Sequence, residues 1–166
     1  MNAQTLPRQV ESQTQARFND CDPFNHLNNS RYIDYIINAR EDQLIQFYNF
    51  DVHKMAKETG LTWVVAQTQI AYLIPVAVME VITIETRMLG FTPKGLLIEA
   101  IMWNKGKTKV KAVMWSKQAH YNLKERRIHE HSAELLELFN NMYLPLPGNP
   151  TFEQRADELR RLNVAH

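Results

Sequence analysis

The residues able to do chemistry in this chain crowd into positions 20–40, which read DCDPFNHLNNSRYIDYIINAR. A carboxylate, Asp22, stands before Pro23, and an imidazole, His26, follows. Asn28 and Asn29 then lead into residues whose apolar spacing, from Ile33 onward, is that of a helix. The first amides of a helix lack intrahelical partners and carry the positive end of its dipole, so they can hold a developing negative charge. Carboxylate, imidazole and free amides are what proton transfer and charge stabilisation need. The same residues also suit plain local structure, since Asp before Pro marks turns and Asn caps helices.

Two other groupings carry less. Cys21 lies near His26, but in an extended segment neighbouring side chains point to opposite sides, so Cys21 faces away if Asp22 faces a substrate. His129 and His131 can share a face, yet no further ligand cluster lies nearby in sequence, and a tetrahedral metal site needs more than two ligands. Residues 122–130, NLKERRIHE, read as a solvated charged loop.

The elements that must position the stretch follow from periodicity. After a loose lead-in over residues 1–12, broken by Pro7, alternation predicts a first strand over residues 13–20. Helical spacing fits residues 30–48, where Ile33, Ile36, Ile37, Leu44, Phe47 and Tyr48 share a face and Arg40 is the one polar intruder. Asn28, Asn29 or Ser30 is placed to cap it. A shorter helix over residues 52–58 stops at Gly60.

From Leu61 β-branched and aromatic residues take over. Strands are expected over residues 62–73, 79–89, 94–104 and 107–121, separated by Pro75, by residues 90–93 and by Lys105 and Gly106, the last a two-residue hairpin. Alternation of Val110, Ala112 and Met114 with Lys109, Lys111 and Val113 predicts a sheet with one face in water. A long helix before four strands is an α+β pattern in which one helix covers the apolar face. Leu135, Leu138, Phe139 and Met142 mark another helix with Ser132 as cap, and a proline-containing linker follows. Thr151 with Gln154 makes a capping box for a terminal helix anchored by Phe152, Ala156, Leu159 and Leu162, which must dock on a partner subunit or fray. Residues 1–145 are read as one domain and residues 146–166 as linker and helical tail.

Composition narrows the function classes. A chain of 166 residues is long enough to bury its own core. A formal charge of +1 gives no pull toward nucleic acid or an anionic membrane. One cysteine excludes an intrachain disulfide and fits a reducing compartment. The polar N-terminal residues lack a signal peptide's apolar core, and no run is long enough to span a membrane, so a cytoplasmic protein is expected.

The string Arg17, Phe18, Asp20, Asp22, Pro23, His26, Leu27, Asn28, Asn29, Tyr32, Ala39 and Arg40 closely resembles the opening signature of hotdog-fold acyl-CoA thioesterases of the 4-hydroxybenzoyl-CoA thioesterase type. The motif match spans residues 14–45, and a match of architecture reaches about residue 122. The resemblance implies a long central helix wrapped by an antiparallel sheet, here with extra C-terminal helices. It also implies Asp22 as the catalytic carboxylate, either a nucleophile forming a mixed anhydride or a general base on water. By position in the motif the backbone N–H of Asn29 is the oxyanion donor. His26 matches the histidine of a His-x-Asn-Asn subgroup, where it orients Asp22 or the turn or helps position water. Asn25 stands where relatives commonly have glycine, and Asn tolerates the left-handed conformation that glycine would supply.

The resemblance further implies an acyl-CoA as substrate, no metal or redox cofactor, no nucleic-acid partner, and a homodimer or homotetramer with the active site at the subunit interface. A carrier-protein thioesterase, a non-catalytic acyl-CoA binding or regulatory domain and an enoyl-CoA hydratase on the same fold are the alternatives. The last also uses Asp and His, and fold alone does not separate it from the thioesterase.

Overall fold

The computed structural model describes residues 5–165. In chain order its elements are β1 (Gln9–Gln15), α1 (Tyr32–Tyr48), α2 (Val52–Thr59), β2 (Leu61–Tyr72), β3 (Val81–Thr92), β4 (Gly95–Asn104), β5 (Val110–Asn122), β6 (Arg127–Ile128), α3 (Ala133–Met142) and α4 (Phe152–Val164). The pairings are all antiparallel, in the order β1-β3-β4-β5-β2, with β6 added to the end of β5. This is the α+β arrangement expected, a long helix laid on an antiparallel sheet.

Alternation decides which residues meet α1. Ile82 and Ile84 of β3, Ala100 and Met102 of β4, and Ala112 and Met114 of β5 pack against Tyr32, Ile36 and Ala39 of the helix. Several ends are set locally, as their sequences suggest. Gly60 closes α2 at φ +76°, Ser132 caps α3 by accepting the Leu135 amide, and Thr151 with Gln154 forms a full capping box on α4. Asn49 ends α1 in the left-handed region.

The structure departs from the sequence reading where distant contacts decide. The first strand begins earlier, at Gln9, and so takes in part of the expected lead-in, whose residues 1–4 lie outside the described residues. Residues 18–20 form a 3-10 turn instead of strand. Gly90 does not break β3 but sits at a bulge, where the register with β4 shifts between Met88 and Gly90. The β4-β5 connection is longer than two residues. There the Asn104 side chain accepts the amides of Thr108 and Lys109 at 2.9 and 3.0 Å and organises the turn.

The largest departure is that the sheet is covered on both faces. Ile101, Val110 and Val113 pack against Phe152, Ala156 and Leu159, so α4 seats on the sheet of its own chain instead of fraying or docking elsewhere. Burying the Phe152 and Leu159 side chains is worth roughly 1.5–3 kcal/mol each. Between the layers Glu99, 1% exposed, accepts hydrogen bonds from Arg87, Arg155 and the Trp115 indole. Lys111 is not solvated either, since it bonds the Glu80 carboxylate and the Pro75 carbonyl. Charged residues at strand positions on this face are thus paired, Glu99 with Arg155 of α4 itself.

Residues 123–128 and Glu130 are exposed, as expected of a charged loop, but His131 just beyond them is not. His131 is buried, its Nε2 accepting the Trp63 indole N–H at 2.9 Å and its Nδ1 lying 2.9 Å from the Thr92 carbonyl. His120 packs beside it with ring centroids 4.7 Å apart. Among the described residues no helix is long and apolar enough to cross a membrane.

Candidate active site

The segment before α1 is a tight loop stitched down at both ends. Asp22 and His26 close it reciprocally: the Asp22 amide donates to the His26 carbonyl at 2.8 Å, and the His26 amide donates to Asp22 Oδ1 at 3.2 Å. The Phe24 amide reaches the same oxygen at 2.9 Å. Between them Asn25 takes φ +62°, the left-handed conformation that its type tolerates. Leu27, 2% exposed, anchors the loop in the core, with its amide on the Val76 carbonyl.

Neighbouring motif residues hold this loop against the helix. Asp20 accepts from the Tyr35 hydroxyl at 2.7 Å, and the Tyr35 oxygen accepts the Arg17 amide at 2.9 Å. Burial, and after it the bonded Asp20, raise the Tyr35 pKa, so the phenol stays a donor. Asn28 caps the following 3-10 turn, Asn29–Arg31, through the Ser30 amide at 3.0 Å. That turn runs directly into α1.

Asp22, His26 and Asn29 line one cavity of about 350 Å³, together with Tyr32, Tyr72 and Pro75. Asp22 is half-buried there, while His26 and Asn29 are exposed. The Asn29 N–H opens the 3-10 turn and has no acceptor among the described residues. The Asn29 carbonyl accepts the Tyr72 hydroxyl at 3.0 Å, and the Tyr72 ring meets Tyr32 edge-on at 5.0 Å. The His26 imidazole makes no hydrogen bond or ion pair among the described residues. What reaches Asp22 from His26 is its backbone.

Cys21 takes no part in this cavity. Its Sγ lies 3.4 Å from the Arg17 carbonyl, and burial followed by Asp20 and Asp22 raises its pKa, which disfavours the thiolate. Tyr72 was not singled out by sequence. It stands at the end of a strand with no local signal, and only β2's placement against the loop brings it to Asn29.

A second cavity, of about 180 Å³, opens between α1 and the sheet and shares no lining residue with the first. Its walls are mostly apolar, from Ile33, Ile36 and Leu44 to Met88, Ile98 and Phe139, with Arg40 among them.

A family model described as the thioesterase-like superfamily matches residues 16–139, about three quarters of the sequence. The chain belongs to that superfamily. No curated protein sequence matches it. Among solved structures it is similar to YbaW, a probable thioesterase from Escherichia coli, with a TM-score of 0.69 at 22% identity over 81% of this chain and 98% of that one. It is also similar to a DHNA-CoA thioesterase from Staphylococcus aureus (TM-score 0.71, 12% identity, 80% and 87% covered). A 1,4-dihydroxy-2-naphthoyl-CoA thioesterase from Synechocystis gives a TM-score of 0.72 at 9% identity, with 82% and 99% covered. Identities this low speak to fold alone, and the fold of this superfamily member is the hotdog fold.

Proposed function

We propose that this superfamily member hydrolyses an acyl-CoA thioester to the free acid and CoA, with Asp22 as the reacting carboxylate and the Asn29 amide as oxyanion donor. The observation that carries the reading is the pairing of these two groups on one cavity. One Asp22 oxygen is held by two amides, and among the described residues neither the other oxygen nor the helix-entry N–H of Asn29, on the same cavity, has a hydrogen-bond partner. Solved neighbours whose names specify CoA thioesters support the substrate class.

Two routes use the same geometry. In one, the carboxylate attacks the thioester carbonyl, CoA thiolate leaves, and water opens the resulting mixed anhydride. In the other, Asp22 takes a proton from water as the water attacks, and that proton goes on to the departing thiolate. Either route places negative charge on the carbonyl oxygen. An amide pre-aimed at that oxygen is worth on the order of a hundred to a thousandfold in rate. His26 contributes its backbone amide and carbonyl, which hold Asp22 in place.

A homodimer joined through β2 completes the reading. That strand is a free sheet edge whose middle exposes Val64 and Val65, the kind of edge that seeks another strand. It also ends at Tyr72, on the wall of the Asp22 cavity. The test is thiol release from short, medium, long and aromatic acyl-CoAs by wild type and Asp22→Asn, beside sedimentation of the wild type. Hydrolysis lost in the variant supports the reading, and no turnover of any thioester overturns it.

A further inference from the structure

One wall of the Asp22 cavity is held in place by a buried lysine. Strict alternation along β5 fails at position 111, since Val110 and Val113 pack beneath α4 whereas Ala112 and Met114 meet α1. Against β4, Ala112 pairs with Met102 and Val110 with Trp103, which leaves Lys111 as the extra residue of a bulge. A bulge bends its strand and re-aims a side chain. Lys111, 8% exposed, reaches residues 73–80, the strap that joins β2 to β3.

Lys111 grips that strap through backbone and side chain together. Its carbonyl accepts the amides of Leu73 and Ile74 at 2.9 and 3.2 Å. Its Nζ donates to the Pro75 carbonyl and to Glu80 Oε2, both at 3.1 Å, with Glu80 Oε1 2.9 Å away. Glu80 Oε2 in turn accepts the Ala77 amide at 2.8 Å, so the ion pair closes the strap on itself. Leu73, Ile74 and Pro75 are themselves walls of the Asp22 cavity.

The strap carries the loop that presents Asp22. The Leu27 amide donates to the Val76 carbonyl and the Val78 amide to the Asn25 carbonyl, each at 2.8 Å. Between them His26 and Ala77 form an antiparallel bridge, and His26 is the residue whose amide and carbonyl hold Asp22. Just before Glu80 the strap passes through Met79 at φ +65°, a conformation that is costly for a residue with a large side chain and persists where its surroundings impose it. All of these contacts lie within one chain, so none waits on a partner copy.

We propose that Lys111, paired with Glu80, is a positioning residue for the reaction: it fixes the strap on which the Asp22 loop rides and so holds the carboxylate in register with the thioester. The inference rests on the hydrolase reading for its effect on rate, and on the strap's own bonds for its effect on the loop. An apolar side chain at 111 would leave Glu80 without its cation. It would also leave the Pro75 carbonyl without a donor, since no backbone amide among the described residues reaches it. A reacting group displaced by about an ångström costs on the order of a hundredfold in rate.

The experiment measures kcat and KM of Lys111→Met on the acyl-CoA that wild type turns over best, with Val113→Ala as a stability control. Each protein is assayed well below its own thermal midpoint. In Lys111→Met kcat is expected to fall by about ten- to a hundredfold with KM within about threefold of wild type. Val113→Ala opens a gap beneath α4 on the same strand without touching the strap, and is expected to lower the midpoint and keep kcat. Glu80→Ala, which opens the other end of the clamp, takes the place of Lys111→Met if that variant does not fold. A kcat within about threefold of wild type in the clamp variant, or an equal loss in Val113→Ala, overturns the proposal.

Hydrogen exchange separates this inference from the hydrolase reading. If no thioester turns over, the amides of Leu27 and Val78, which bond across loop and strap, decide it. In the clamp variant they are expected to exchange about tenfold faster or more, a larger rise than at the centre of the β3-β4 ladder. No rise, or a rise no larger than the ladder's, overturns it.

Discussion

The Asp22 amide donates to the His26 carbonyl at 2.8 Å while the His26 amide returns a bond to the Asp22 carboxylate at 3.2 Å. This closed loop makes Asp22→Asn a clean probe. The amide oxygen of asparagine can accept the same two backbone N–H groups, so the turn survives, while the anion and the base are lost. Thioester hydrolysis is expected to fall by about a thousandfold or more, with the oligomer and the thermal midpoint within experimental scatter of wild type. Turnover within tenfold of wild type would remove Asp22 from the mechanism.

His26→Ala separates backbone from side chain at the same place. The imidazole is exposed and bonds nothing among the described residues, so its removal is expected to change stability by less than about 0.5 kcal/mol. Turnover should stay within about tenfold of wild type, well short of the loss given by a general acid or base. A drop comparable to that of Asp22→Asn would show that the ring itself handles water or a proton. Urea denaturation and steady-state kinetics on one preparation read both quantities.

How far the sequence reached depended on the range of the interactions involved. Asn25 at positive φ, Gly60 ending α2 and the Thr151-Gln154 capping box are decided within a few residues, and each is readable from neighbours alone. Lys111 and Val113 look like alternating strand positions on a wet face until Glu80 and the Pro75 carbonyl take up Lys111 and α4, some forty residues later, covers Val113. His131 looks like loop until Trp63 donates to it across the fold. Within the candidate site, the motif brought attention to Asp22, His26 and Asn29, whereas Tyr72 had no local signature. Arg40 did have one, as the single polar residue on an apolar helix face, and it stands among the walls of the cavity beneath α1.

Tyr72 fixes the far side of the Asn29 residue, its hydroxyl donating to the carbonyl at 3.0 Å. Tyr72→Phe keeps the edge-on contact with Tyr32 and removes that bond. Because Tyr72 is about 40% exposed, water can replace it on the carbonyl, and the stability change is expected to be small, about 0.5–1.5 kcal/mol at most. If the bond holds the Asn29 amide on target, kcat falls by about tenfold while KM moves little. A change confined to KM would instead assign Tyr72 to substrate contact.

Glu99 ties α4 to the sheet, and removing its charge strands two arginines. Glu99→Gln is expected to cost about 3–5 kcal/mol, the usual effect of breaking one side of a buried ion pair. Arg155 should lose the most, being held through both Glu99 oxygens. Hydrogen exchange would then rise first in the N-terminal half of α4, since the C-terminal half keeps the Asn163 side chain bonded to the Val110 backbone. Unchanged protection of α4 would mean that Phe152, Ala156 and Leu159, with Asn163 on the Val110 backbone, suffice.

Acid should weaken the fold in two separable steps. The Nδ1 atoms of His120 and His131 face the carbonyls of His129 and Thr92, so both rings carry their proton there. His131 Nε2 then accepts from Trp63, and a second proton on it would set two N–H groups against each other. Burial lowers both pKa values from the ordinary 6.5. A lowered folded-state pKa means the stabilising contribution is complete above about pH 6.5 and is lost as pH falls through the folded value. At Glu99, burial alone raises the pKa, but hydrogen bonds and charge from Arg155, with Trp115 and Arg87, outweigh it and leave the pKa below the ordinary 4.5. Its contribution is therefore lost only in stronger acid. Urea midpoints measured from about pH 8 down to about pH 3.5 should fall first below about pH 6.5 and again below about pH 4.5. The double variant His120→Phe, His131→Gln, whose amide can accept from Trp63 and donate to Thr92, should flatten the first step and leave the second. A first step that survives the double variant would place the acid sensitivity elsewhere.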